Sequence, residues 1–215
     1  MITLRAISIR LIYSSTSMKP ESGILLMCLL AMSNVSADTF VSDDIITSPQ
    51  PDHFSVCYNN TCTTVQDLSL TQQQWQRVRE LFVKHNNSPA DERAIIKQAI
   101  ALLEKMVGKL TGTSNDKGEN AGGGADGQMD CIDESTNSTI YLLMLEQDGL
   151  LKYHHVEDRV TRGHFIFGWP HTTAVISEKR SGKRYAVDSW FLANGKPPFI
   201  VPLDKWQDGW RPAGK

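Results

Sequence analysis

The spacing of apolar and polar residues changes along the chain, and its first part has a helical period. Between residues 71 and 106, apolar side chains recur every three or four positions, which predicts two amphipathic helices. Thr71 is a suitable N-cap for the first helix, and Ser88 and Pro89 fit the cap and first turn of the second. The predicted apolar faces are Trp75, Val78, Leu81 and Phe82 in the first helix and Ile95, Ile96, Ala99, Leu102, Leu103 and Met106 in the second.

A third helix is predicted over Asp130–Leu151, after a glycine-rich segment, residues 111–129, that is typical of a surface loop. Beyond this helix the apolar period falls to two, which indicates strands, and the proline-rich tail after residue 190 predicts irregular structure. Helices followed by an antiparallel sheet define an α+β fold. The predicted strands of this sheet are Lys152–Val160, Gly163–Phe167, Thr172–Glu178 and Arg184–Trp190, with Ser181-Gly182-Lys183 as the turn between the last two.

The N-terminal part carries an apolar run, Gly23–Met32, that is short for a membrane span but has the length of a signal-peptide core. Small residues at 35–37 then predict cleavage before Asp38, and Met18 is a second candidate start. We therefore expect residues 1–37 to be an export signal and the mature protein to be periplasmic or secreted, without a stable membrane span. The alternative is a buried helix of the mature fold.

Composition adds little beyond the size of the fold. The chain has 215 residues, with 40% hydrophobic and 21% charged residues, which fits about one globular domain after removal of a signal. Its formal net charge of −2 gives no indication of nucleic-acid binding or of a polyanionic tail.

Three cysteines follow the export segment, so one thiol stays free if the other two pair in an oxidising compartment. Cys57 and Cys62 flank a tight-turn sequence between predicted strands at Phe54–Tyr58 and Thr63–Gln66, which favours a local disulfide. A metal site would need more ligands than this pair supplies, and none is predicted. If Cys131 instead paired with Cys57 or Cys62, its role would be structural.

The leftover thiol, Cys131, begins the third predicted helix. A helix N-terminus favours an anion, so this position is expected to lower the thiol pKa. A nucleophilic thiol also needs a base and a group that orients the base. His171 begins one predicted strand and Asp188 lies on the next, so a hairpin would bring them side by side.

These residues carry a resemblance. The stretch from Asp130 to Trp190 resembles the transglutaminase-like (papain-like) cysteine superfamily, in which a Cys opens a helix, a His lies on one strand and an Asp on the next. DCIDESTNSTIYLLMLEQDGL resembles the Cys helix, and PHTTAVISEKRSGKRYAVDSW resembles the His strand, hairpin and Asp strand. The Asp-Cys-x-Asp opening is similar to that of the bacterial transglutaminase-like periplasmic cysteine proteinases.

The resemblance implies a papain- or transglutaminase-like core over residues 130–215, with a Cys-bearing helix packed on an antiparallel sheet and a turn, hairpin and helical segment over residues 38–110 before it. It implies roles for Cys131 as nucleophile, His171 as base and then acid, and Asp188 as orienting group. Oxyanion and substrate contacts are assigned to Gln128, Trp169 and Trp190, and the Cys131 backbone N–H is the preferred oxyanion donor. No cofactor is expected, although calcium stays open, because Ile132 replaces an acid found beside the Cys in the calcium-dependent relatives.

The implied function is peptide or isopeptide hydrolysis by a thiol-dependent acyl-transfer enzyme, with an envelope protein or peptide as substrate. Three other histidines, His154, His155 and His164, are rival bases. The alternative function is a non-catalytic peptide- or protein-binding module on the same fold.

Overall fold

The computed structural model describes residues 44–83, 86–120, 123, 126–163 and 170–214. These residues all belong to one compact unit, Asp38–Lys215. The expected export signal, the predicted strand Gly163–Phe167, His164 and Trp169 lie wholly or mostly outside the described residues. In the part of the chain that is described, none of the helices has the length and apolarity needed to cross a membrane.

Helices and strands occur together, so the predicted α+β class is confirmed. A two-stranded sheet comes first, two helices follow, and a central helix then leads into a four-stranded antiparallel sheet whose strands neighbour one another in chain order. The elements are β1 (Phe54–Tyr58), β2 (Thr64–Leu68), α1 (Gln72–Val83), α2 (Pro89–Thr111), α3 (Cys131–Gln147), β3 (His154–Arg162), β4 (His171–Glu178), β5 (Arg184–Asp188), β6 (Phe199–Pro202) and α4 (Leu203–Gln207).

The starts of α1 and α2 are set by local side chains, as predicted. The Thr71 hydroxyl accepts from the Gln74 N–H at 3.2 Å, and the Gln74 side chain accepts from the Thr71 N–H at 2.8 Å, which is a capping box. Ser88 caps α2 by accepting from the Asp91 N–H at 3.1 Å, and Pro89 occupies the first turn. Both predicted helix starts are confirmed.

Helix α3 lies at the centre of the described fold, packed on β1, β3 and β4. Its C-terminal half places Ile140, Leu142 and Leu145 in the main core, as the apolar pattern predicts. The helix ends at Gln147, four residues before the predicted end. Gly149 adopts a left-handed conformation there, and the Leu150 N–H returns to the Leu145 carbonyl, which closes the helix.

The prediction that the tail is irregular is wrong for residues 199–207. Residues after 190 form strand β6 and helix α4, and β6 pairs with β5 at the edge of the sheet. Prolines made this segment look unstructured, but an edge strand tolerates a proline because one side of its backbone needs no partner. The tail also carries Trp206, which is fully buried.

Candidate functional site

Cys131 occupies the first position of α3, directly after the helix cap. The Asp130 carboxylate accepts the N–H groups of Ile132 and Asp133 at 2.9 and 3.0 Å, and the Asp133 carboxylate accepts the Asp130 N–H at 3.2 Å. This reciprocal capping box fixes the chain on both sides of the cysteine. The prediction that Cys131 begins this helix is confirmed.

A disulfide-closed turn lies against this capping box. Cys57 and Cys62 are bonded to each other, and Cys131 is a free thiol. The four consecutive residues Asn59–Cys62 all have positive φ, between 52° and 67°. Such a left-handed backbone costs a residue with a Cβ atom about 1–2 kcal/mol, so surrounding contacts must hold this run. We call residues 59–62 the left-handed turn.

His171 and Asp188 are brought together by the register of β4 and β5. Ala174 pairs with Val187, so Asp188 falls opposite residue 173 and lies diagonally from His171 on the same face of the sheet. Diagonal neighbours in a sheet are within reach of long side chains. The His171 Nε2 and Asp188 Oδ2 atoms are 2.8 Å apart, and both side chains are buried.

Aromatic rings enclose the imidazole of His171, which is 7% exposed. Its ring centroid lies 4.7 Å from that of Trp190 and 5.4 Å from those of Phe191 and Trp206. The indole N–H of Trp206 also donates to Asp188 Oδ2 at 2.7 Å. The sequence does not point to Trp206, because the proline-rich tail predicts irregular structure and nothing local connects Trp206 to Asp188.

The Nδ1 atom of His171 is buried and has no hydrogen-bond partner within the described parts of the chain. In the neutral imidazole, the tautomer that suits this contact has the proton on Nε2, which faces the carboxylate, and a lone pair on Nδ1. The Cys131 sulfur lies against the backbone on either side of this histidine. Its thiol is 4.0 Å from the Pro170 carbonyl oxygen, and the Thr172 N–H hydrogen-bonds the sulfur.

The expected lowering of the Cys131 pKa is wrong. Burial is the main cause that raises the pKa of the Cys131 thiol, to about 11. The negative charges of Asp130 and Asp188 act in the same direction, and the Thr172 N–H acts against them. The thiol therefore rests in its neutral form at neutral pH. The position at a helix N-terminus indicates a lowered pKa. The sequence does not reveal the desolvation of the sulfur or the acids around it, because both arise from tertiary packing.

Of the three residues expected to make oxyanion or substrate contacts, the structure describes two, Trp190 and Gln128. Trp190 lies beside His171, and its indole N–H donates to the Asn120 carbonyl at 2.6 Å, which ties the glycine-rich loop to the site. Gln128 turns to that loop as well: its Nε2 donates to the Asn115 carbonyl at 3.1 Å, and its Oε1 accepts from the Lys117 N–H at 3.3 Å. Trp169 is outside the described residues.

Two of the rival histidines are engaged elsewhere. His154 is fully buried, with Nδ1 2.9 Å from Glu92 and Nε2 3.2 Å from Arg93, so both ring nitrogens have partners. The side chain of His155 is 61% exposed and pairs with Glu146 at 2.9 Å. Among the described histidines, His171 is the one whose flanking backbone contacts the Cys131 sulfur.

Three buried acids behind the site were also missed. Burial raises the pKa of Glu104 to about 7 and that of Asp116 to about 6, and it raises the pKa of Glu134 well above its usual value. Glu134 and Asp116 hydrogen-bond each other, so they share a proton. Glu104 accepts from the Gly195 N–H and from the Ser189 hydroxyl. A charged residue on a helix usually faces solvent, so the sequence pattern does not indicate that these acids are buried together.

The carboxylates beside Cys131, for which the sequence leaves calcium open, are engaged by backbone N–H groups. Calcium prefers a shell of free oxygen atoms, whereas each carboxylate oxygen of Asp130 and Asp133 already accepts a backbone N–H. Within the described residues, one group could bring three metal ligands together: Cys57, Cys62 and Asp133. Its two sulfur atoms are consumed by the disulfide.

Comparison of the chain with protein-family models, with curated proteins and with solved structures found no match.

Proposed function

We propose that this protein is an exported thiol-dependent acyl-transfer enzyme of the transglutaminase-like (papain-like) kind, which hydrolyses peptide or isopeptide bonds in envelope substrates. The observation that carries the proposal is the state of His171: its Nε2–H is held by Asp188, and its buried Nδ1 is free to take a proton. The Cys131 sulfur lies against the backbone that flanks this histidine.

In the proposed reaction the neutral thiol of Cys131 attacks the substrate carbonyl while its proton passes to His171 Nδ1. Asp188 stabilises the imidazolium that forms. The carbonyl oxygen becomes an oxyanion, for which the Cys131 backbone N–H is the donor, because the Asp130 cap accepts the N–H groups of the two residues that follow.

Collapse of this intermediate breaks the carbon–nitrogen bond, and His171 returns the proton to the leaving amine. A thioester on Cys131 remains. Water then attacks it with His171 as base, and the acid product and the thiol are released. Asp188 is needed throughout, because without it the imidazole could carry its proton on the wrong nitrogen.

The test uses a peptide vinyl sulfone, which alkylates thiols activated by an imidazole, on the purified full chain. We expect labelling at Cys131, its abolition in Cys131→Ala and a strong decrease in His171→Ala. His53→Ala is the matched control, because His53 is exposed and remote from the site in sequence and sheet. If Cys131→Ala labels as strongly as the parent, Cys131 is not the nucleophile.

A second function is favoured by the raised pKa of Cys131, since a neutral, largely buried thiol also suits a peptide- or protein-binding module. The two functions differ in their dependence on His171. If His171→Ala retains the parent labelling rate while it remains folded, the binding module is the better description.

A further inference from the structure

The left-handed turn contacts both flanks of the free cysteine. On one side, the Asn59 N–H donates to the Gln128 carbonyl at 3.1 Å, and the Asn59 side chain accepts the Gly127 N–H at 2.8 Å. On the other side, the carboxylates of Asp130 and Asp133 accept three successive N–H groups of the turn, at 2.6–3.0 Å. The turn thus fixes the chain before and after Cys131.

Each end of the disulfide is also tied to α3. The Asn137 side chain accepts the Cys57 N–H at 2.9 Å and donates to the Cys57 carbonyl at 2.7 Å. The Cys62 N–H donates to Asp133 at 2.6 Å. The disulfide therefore closes a loop whose two ends are anchored on the helix that carries the free thiol.

Residues with a Cβ atom do not hold a left-handed backbone over four successive positions unless their surroundings impose it. Three constraints act on this turn: the covalent bond between Cys57 and Cys62, the pairing of strands β1 and β2 that flank it, and the carboxylates that gather its N–H groups. Without the covalent constraint, relaxation of the turn toward the right-handed region would take its N–H groups away from Asp130 and Asp133.

We propose that the left-handed turn, locked by the Cys57–Cys62 disulfide, is the positioning element of Cys131, so that the reactivity of Cys131 depends on the oxidation state of this pair. Asp130 and Asp133 are then positioning residues, which act through the turn and the helix start. The consequence for reactivity rests on the proposed function, whereas the structural link between the turn and α3 does not.

A water-soluble phosphine can reduce the Cys57–Cys62 disulfide. The phosphorus attacks one sulfur and breaks the S–S bond, and water then supplies the oxygen of the phosphine oxide and the protons of two thiols. The disulfide gains two electrons, which the phosphine loses. Cys131 takes no part in this step, because it is already a free thiol.

Amide hydrogen exchange on the full chain, oxidised and phosphine-reduced, tests the structural link. Reduction should speed exchange in the first turn of α3, residues 131–135, by about tenfold or more, because several hydrogen bonds to the carboxyl groups of Asp130 and Asp133 are lost. Helix α2 serves as the internal reference and should keep its exchange rate. Unchanged exchange at residues 131–135 overturns the proposal. Equal acceleration of exchange in α2 also overturns it, because the disulfide would then stabilise the whole fold and not the first turn of α3 in particular.

A rescue variant separates positioning from general stability. In the Cys57→Ser/Cys62→Ser protein, Thr61→Gly removes the cost of a left-handed residue at an exposed position. We expect it to restore part of the lost vinyl sulfone labelling of Cys131. Thr63→Gly is the matched control, since Thr63 is equally exposed but is not among the residues with positive φ. Equal rescue by both changes, or by neither, contradicts the proposal.

Failure of this proposal is distinguishable from failure of the proposed function. If the vinyl sulfone labels Cys131 in His171→Ala at the parental rate, the proposed enzymatic function is wrong. The hydrogen-exchange measurement still tests the link between the left-handed turn and α3 in that case. If labelling depends on His171 but not on the Cys57–Cys62 bond, the enzyme assignment stands and the positioning role is wrong.

Discussion

Trp206 donates its indole N–H to Asp188 Oδ2 at 2.7 Å, on the same oxygen that lies 2.8 Å from His171 Nε2. The two donors arrive from opposite directions in the chain: His171 from the neighbouring strand β4, and Trp206 from helix α4. Because hydrogen bonds to a charged acceptor are stronger than neutral ones, this pair fixes the rotamer of Asp188 and thereby the orientation of the imidazole.

Replacing Trp206 by Phe should therefore weaken the site without removing its three central side chains. A lost hydrogen bond to a carboxylate corresponds to about 1.5–3 kcal/mol, so we expect labelling of Cys131 by the vinyl sulfone to slow by about tenfold or more. Trp210→Phe is the control: Trp210 packs on Phe191 and Phe199 and belongs to the same aromatic cluster. Equal slowing in both variants would show that the cluster matters only through packing.

His154 offers a test of the choice of base. It is buried between Glu92 and Arg93, so His154→Gln should lower the free energy of unfolding by about 1–3 kcal/mol, because it leaves buried groups without partners. We expect the labelling rate of Cys131 to stay unchanged under conditions where the variant is folded. His155→Gln, at an exposed position, should change neither quantity. Denaturant unfolding measures the first effect, and loss of labelling in folded His154→Gln would make His154 the base.

Local signals in the sequence were sufficient for most of the scaffold. Some features depend only on neighbouring residues, and the structure has them as predicted. They are the bounds of β1, the helix caps at Thr71 and Ser88, and the turn at Gly182. The pairing of Cys57 with Cys62 across a short turn is equally local. Hairpin register then placed His171 near Asp188, because antiparallel strands around a short turn leave little choice.

The properties that sequence reasoning missed arise from contacts between distant segments. Trp206 reaches Asp188 only because β6 and α4 fold back on the sheet. The pKa of Cys131 is raised by burial, whereas a helix N-terminus alone would lower it. The extent of burial depends on all the segments that pack around the sulfur. The turn at residues 59–62 stays left-handed at Thr61 and Cys62, where no local propensity favours that backbone, whereas Asn59 and Asn60 tolerate it.

The raised pKa of Cys131 predicts how its alkylation depends on pH. With the small reagent iodoacetamide, which reacts with the thiolate, the rate in the folded protein should keep rising through pH 9 and 10 toward a midpoint near the pKa of about 11. In the denaturant-unfolded chain the midpoint should fall to about 8.5, the ordinary thiol value. A plateau below pH 8 in the folded protein would instead indicate a preformed thiolate, stabilised by the imidazolium.

The buried acids predict a loss of stability as the pH rises. The pKa of Glu104 is raised from 4.5 to about 7, so between these values the folded state holds a proton that the unfolded state has released. Raising the pH through this window therefore favours unfolding, by on the order of 3 kcal/mol for such a shift. Asp116 and Glu134, whose pKa values are also raised, add to the same trend.

Glu104→Gln should flatten this dependence, because an amide has no proton to release and still presents an oxygen to the Gly195 N–H or the Ser189 hydroxyl. Denaturant unfolding at pH 5 and pH 8 should show a smaller difference in the free energy of unfolding than in the parent. Glu80→Gln, on the exposed face of α1, provides the matched control and should keep the parental difference. A parent that is more stable at pH 8 than at pH 5 would contradict the sign, since carboxylates with lowered pKa values, such as that of Glu178 at about 2, act in the opposite direction only at more acidic pH.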